Sequence, residues 1–224
     1  LWLMLRYRGL LVFTSANPGI PNGGGFVGES KTRIQHGFGL DNPMALSARL
    51  IAEGDTDHRI QEALSLIRDG SAVGGFPVVL KPDAGERGAG MRIARSEADV
   101  HDYFRATDRA IQIQRYHPGP YELGVLWSRV PVTGVPVDEW PGEVFSATSK
   151  TFPVIEGDGK HTLETLIWRH RRYRMQARVF LKRFSGQSDR VLPEGERLQL
   201  TQAGNHFQGT RFGDGMPQVT AQLA

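Results

Sequence analysis

The 224-residue chain is 39% hydrophobic and 23% charged, ordinary proportions for one or two globular domains that bury a core. Cysteine is absent, which excludes disulfides and thiolate metal sites and is compatible with a reducing, cytoplasmic location. A formal net charge of only +3 favours a protein that handles small anions, and no nucleic-acid partner is expected.

Residues 1–5 are apolar but fall far short of the roughly 18 residues a membrane helix needs, so no membrane span is expected within this chain. Residues 10–13 read as a short strand, and 14–28 as a loop dense in Asn, Pro and Gly. Gly23, Gly25 and Gly28 satisfy the dinucleotide-fingerprint spacing, yet residues 17–21 interrupt the strand that should feed them, so a turn is the better reading. Residues 29–35 look like a helix start. Residues 55–68 predict a better helix, with Ile60, Ala63, Leu64 and Ile67 on one face.

The stretch 76–93 is the most specific in the chain. An apolar strand, 77–80, delivers Lys81, and Gly85, Gly88 and Gly90 then give a backbone able to approach an anion closely. The lysine precedes the glycines rather than following them, which excludes the Walker arrangement. Residues 91–94 read as a returning strand, so the glycines form a hairpin over phosphate. Ser96, with Asp99 three residues on, starts a helix running to Phe104. Residues 110–114 then alternate as a strand ending in Gln114, and 115–122 form a linker and turn.

This order of Lys-Pro strand, glycine hairpin, helix and strand resembles the ATP-grasp fold, most closely its carboxylate–amine ligases of the cyanophycin synthetase and D-alanine–D-alanine ligase kind. The resemblance implies an α+β (α/β) architecture: an N-terminal segment over 1–70, a small mobile lid subdomain over 71–130, and the start of a truncated C-terminal catalytic subdomain over 131–224. It implies ATP and Mg²⁺ as cofactors, small carboxylate and amine substrates, and an amide bond made through an acylphosphate. A non-catalytic or regulatory nucleotide-binding module is the alternative. A homodimer is compatible with either.

Residue by residue, the resemblance gives Lys81 the α/β-phosphates, Gly85, Gly88 and Gly90 the β/γ-phosphates, Gln114 with the backbone of Arg115, Tyr116 and His117 the adenine, and Glu122 the ribose. Arg115 stands where many relatives carry an acid, and the ribose role slips by one residue if Tyr121 takes the motif's place. Lys31 sits where several such ligases carry an earlier ATP-contacting lysine; a solvated helix lysine is the equal alternative.

Beyond residue 122, segments 123–130 and 142–148 predict two paired strands, and 157–164 (GDGKHTLE) resembles a linker of the same ligases, with Thr162 capping a helix. Apolar residues from Leu163 to Phe184 keep helical spacing, so one amphipathic helix is expected with the arginines of 168–174 on its solvated face. Segment 198–212 resembles the family segment where an Asn and a Gly-rich turn follow a strand near the nucleotide and substrate phosphates, which assigns catalytic roles to Asn205 and to Arg211, the latter holding a carboxylate or a phosphate, while residues 214 and 215 suggest a hairpin turn. The seven histidines form no metal-ligand spacing and no nucleophile elbow occurs. No metal ligands are assigned: Mg²⁺ carboxylates are expected in a continuation beyond residue 224.

Overall fold

The structure, a computed structural model, describes residues 2–7, 28–37, 48–85, 88–119 and 121–220. The strand expected at 10–13, and all but the last residue of the loop expected after it, lie outside the described residues. The chain divides into two compact units, Leu1–Pro118 and Gly119–Ala224. That division falls inside the segment 71–130 expected to form one lid.

The first unit contains α1 (Trp2–Tyr7), α2 (Lys31–Gly37), β1 (Ala48–Ile51), α3 (Thr56–Asp69), β2 (Val78–Pro82), β3 (Arg92–Ala94), α4 (Glu97–Arg105) and β4 (Ile111–Arg115). Its four strands form one sheet in the order β1-β4-β2-β3, every neighbour antiparallel. Of the two expected class labels, α+β therefore holds; the parallel sheet of an α/β protein is not found among the described strands.

Local chemistry sets the helix ends. Asp55 accepts the His58 amide at 2.9 Å to start α3, and Gly70, left-handed at φ 69, stops it. Ser96 and Asp99 make a full capping box at the start of α4, each accepting from the other's amide. Ile60, Ala63, Leu64 and Ile67 of α3 are all buried, with Val100 and Phe104 of α4 in the same core. Each fully buried Val, Leu, Ile or Phe side chain among them contributes about 1.5–3 kcal/mol.

Strand alternation decides what lies on each side of the sheet. Val78, Leu80, Ile111 and Ile113 join the core with α3 and α4. Lys81, Gln112 and Gln114 therefore point to the other face, since Lys81 pairs with Gln112 and Val79 with Gln114. There Gln112 is fully buried, its amide donating to the Thr32 hydroxyl at 3.1 Å and to the Gln35 side chain at 2.7 Å, both on α2.

The second unit comprises β5 (Leu123–Arg129), β6 (Gly142–Thr151), β7 (Val154–Glu156), α5 (Leu163–Arg169), α6 (Ala177–Arg183), β8 (Arg197–Gln199) and β9 (Arg211–Asp214). Strand β6 is central to a three-stranded sheet, flanked by β5 and β9; β7 and β8 pair separately. Leu163, Ile167, Phe180, Leu192 and Leu200 form its core.

Two expectations do not hold in this unit. The single amphipathic helix is two short ones joined by a 3-10 turn, Tyr173–Gln176. The break has a local cause: the His170 ring accepts the amides of Arg172 and Tyr173 through Nδ1, at 3.3 and 3.2 Å, and stacks on the Tyr173 ring 3.6 Å away. A side-chain acceptor thus replaces backbone carbonyls. The buried stripe survives, because Leu163, Ile167, Ala177 and Phe180 still face the core. Residues 214 and 215 do not turn a hairpin: β9 pairs with β6, and the Gly215 amide continues that edge by donating to the Ala147 carbonyl at 2.9 Å.

Candidate functional site

The first unit brings Lys31, Lys81, Gln114 and the glycine hairpin together. Strands β2 and β3 are the two arms of that hairpin, pairing Val78 with Ala94 and Leu80 with Arg92. Gly85, Gly88 and Gly90 all carry positive φ, at 155, 72 and 72 degrees. At Gly90 a side chain is excluded twice: by its left-handed φ, and by Pro82, whose Cγ would lie 2.9 Å from an added Cβ. The Gly90 carbonyl accepts from the Tyr103 hydroxyl at 2.6 Å, fixing the returning arm to α4. Burial pushes the Tyr103 phenol up to about 12, so it stays a donor.

The Lys81 ammonium donates to the Gln114 side-chain oxygen at 2.6 Å. Burial, and then the charge of Lys31, pull the Lys81 amine down to about 8, against the opposing pull of Asp83. Lys31 is not the solvated helix lysine: its Nζ donates to the carbonyls of Pro82 at 3.1 Å, Asp83 at 3.0 Å and Gly85 at 2.8 Å. Two ammonium groups thus converge at the mouth of the glycine hairpin. The nearby carboxylate, Asp83, is engaged elsewhere: it accepts the Thr32 amide and hydroxyl at 2.9 and 2.7 Å. Burial alone would push Asp83 up, but hydrogen bonds from Ser30 and Thr32 and the Lys31 charge hold it below the usual carboxylate range. Chemically, such a site is suited to an oxyanion held by the Lys81 ammonium, with Lys31, whose three protons go to backbone carbonyls, adding the attraction of its charge.

The remaining expected residues lie as follows. Arg115 ends β4, exposed, with its guanidinium beside Gly74; Tyr116 is half-buried and His117 exposed in the segment after it. Glu122, Asn205 and Arg211 belong to the second unit. Glu122 forms an ion pair with Lys150 at 2.6 Å, and its carboxylate occupies the space a Cβ on Gly204 would need, 2.5 Å from Oε1. Asn205 accepts the Gln208 amide at 3.0 Å and caps the short turn His206–Gln208. Arg211 is exposed on β9. The turn at 157–161 is tied by Asp158, which accepts the amides of Lys160 and His161 at 3.0 and 2.8 Å; these bonds, the His161 amide first, hold its carboxyl far below the usual range.

Sequence reasoning missed Asp83, Thr32 and Gln112. A glutamine between two isoleucines, as at Gln112, was the one signal present. The helix it meets is about eighty residues earlier in the chain. Among the described residues no group of three or more His, Asp or Glu side chains is placed to hold a metal ion, and no helix is long and apolar enough to cross a membrane.

No family model matches the chain, and no curated protein matches it. Among solved structures, a bifunctional glutathione synthetase from Pasteurella multocida is similar at a TM-score of 0.33 and 14% sequence identity, over 79% of this chain and 24% of that one. The chain spans about a quarter of the length of that protein, and the likeness is too slight to carry an argument.

Proposed function

We propose that the first unit binds the phosphates of ATP and that the chain is part of an ATP-grasp ligase joining a carboxylate to an amine. The observation that supports this is the pairing of a half-buried lysine, Lys81, with a second ammonium, Lys31, at a glycine hairpin. Holding two like charges near one another costs free energy that a bound polyphosphate returns. Gln114, bonded to Lys81, lies at the end of that face, where an adenine is read in this proposal.

In this reading the chain's residues bind and orient rather than react. Lys81 holds the α/β-phosphates and the glycine amides those beyond, lowering the cost of charge build-up as the γ-phosphoryl moves to a carboxylate. ADP leaves, the amine attacks the acylphosphate carbon, and phosphate departs as the amide forms. Asn205 and Arg211 are proposed to serve the carboxylate side. Mg²⁺ would neutralise phosphate charge in such a reaction, but the described carboxylates do not group to hold it, so it is assigned to no residue.

Calorimetric titration of the chain with ATP, followed by assay of ADP release in the presence of carboxylate and amine mixtures, tests the reading. Binding with substrate-dependent ADP release supports a ligase. Binding without release supports a nucleotide-holding module, and no binding removes both.

A further inference from the structure

Asp83 has no role in the phosphate reading, yet its hydrogen bonds tie together the elements beside that site. It follows Lys81 and Pro82 directly, is 7% exposed, and joins three elements. Its amide donates to the Ala110 carbonyl at 3.0 Å, at the entry to β4. Its own carbonyl accepts the Lys31 amide at 3.1 Å and the Lys31 ammonium at 3.0 Å. Its carboxylate takes the Thr32 amide and hydroxyl.

The hydrogen-bond directions form a consistent chain. Gln112 donates to the Thr32 hydroxyl at 3.1 Å, and that hydroxyl donates on to Asp83 at 2.7 Å. Gln112 lies directly opposite Lys81 in the β2–β4 register. Lys31, one residue before Thr32, meanwhile fastens the carbonyls of residues 82, 83 and 85, the first arm of the glycine turn. Residues about fifty apart in sequence therefore lock α2, the turn and the Lys81 strand into one unit.

We infer that Asp83 is a positioning residue for phosphate recognition: by gripping the start of α2 through Thr32, it fixes Lys31 and the glycine turn relative to Lys81. The inference rests on the nucleotide reading above. Preorganisation of this kind lowers the ordering cost at binding, and its loss weakens affinity for the group being gripped. The contact is breakable from either side. Asp83→Ala removes the acceptor, whereas Thr32→Val removes the hydroxyl at nearly constant shape and leaves Asp83 in place. Thr32→Ser keeps the hydroxyl and is the rescue.

The test is calorimetric titration of the full chain with ATP and, separately, with adenosine, at a temperature well below each variant's melting point. Amide exchange at residues 85 and 88–91 is measured in parallel without nucleotide. Thr32→Val and Asp83→Ala are each expected to weaken ATP binding about tenfold, the effect of roughly one charge-assisted hydrogen bond. Adenosine affinity should not move, Thr32→Ser should restore ATP affinity, and exchange in the turn should speed up in the two damaging variants. The double variant should lose less than the sum of the two single losses, because both changes break the Thr32 hydroxyl–Asp83 hydrogen bond. Wild-type chain that fails to bind ATP overturns the phosphate reading. Wild-type binding with unchanged ATP affinity in Thr32→Val overturns the positioning role alone, as does equal loss for ATP and adenosine. If Asp83→Ala does not fold, the Val and Ser variants at residue 32 still decide the matter.

Discussion

Lys81 and Gln114 meet across adjacent antiparallel strands, the ammonium donating to the amide oxygen at 2.6 Å on the sheet face away from the core. Because burial and the Lys31 charge leave the Lys81 amine near 8, its charge is at the edge of physiological pH. A phosphate ligand favours the ammonium. The Lys81 contribution to ATP affinity should therefore be flat below about pH 7 and fall as the pH rises through 8, and Lys81→Met should lose this component of the pH dependence. Titration calorimetry across that range at constant salt checks it.

Lys31 contributes to that depression directly. Lys31→Met removes the second-largest influence lowering the Lys81 amine, so the pH at which ATP binding weakens should move upward even though overall affinity drops. A midpoint that stays put would mean the two ammonium groups do not sense one another.

The same shift has a stability consequence. Below pH 8 both folded and unfolded chains carry the Lys81 proton, and the cost of burying the charge is felt in full. Between about 8 and the ordinary value of 10.5 the unfolded chain binds more protons, so the Lys81 contribution to stability rises with pH. Melting of wild type against Lys81→Met should thus shift in the wild type's favour from pH 8 to 10.5; a shift the other way contradicts the burial.

In the second unit, Gly157 is a steric requirement rather than a turn preference. An added Cβ would lie 2.1 Å from the Pro193 carbonyl and 2.7 Å from Leu192, backbone that cannot swing aside. Gly157→Ala should cost about 1–3 kcal/mol or more by overpacking. Gly124→Ala, whose nearest neighbours stand at 3.9 and 4.0 Å, is the control and should leave the urea midpoint nearly unchanged.

Local signals explain what was legible in the sequence. The capping box at Ser96, the buried stripe of Ile60 to Ile67 and the glycine hairpin each depend on residues within a few positions of one another, and all appear where expected. The break at His170 was hidden because the apolar spacing continues straight through it; only the ring's acceptance of two amides interrupts the helix. Strand neighbours were hidden for a different reason. Ala48 pairs with Gln114 and Thr151 with Arg211 over some sixty residues, and nothing local in either strand names its partner. The tie between Asp83 and Thr32 is of this long-range kind, and nothing in the sequence around either residue names the other.

The most direct measurement is ATP affinity of Lys81→Ala against wild type, by calorimetry at pH 7, with melting recorded for both. Loss of a charge-assisted contact worth roughly 1.5–3 kcal/mol should weaken binding on the order of tenfold to a hundredfold in a variant that still melts cooperatively. Equal affinity in a well-folded Lys81→Ala protein would contradict the assignment of this hairpin to nucleotide phosphate.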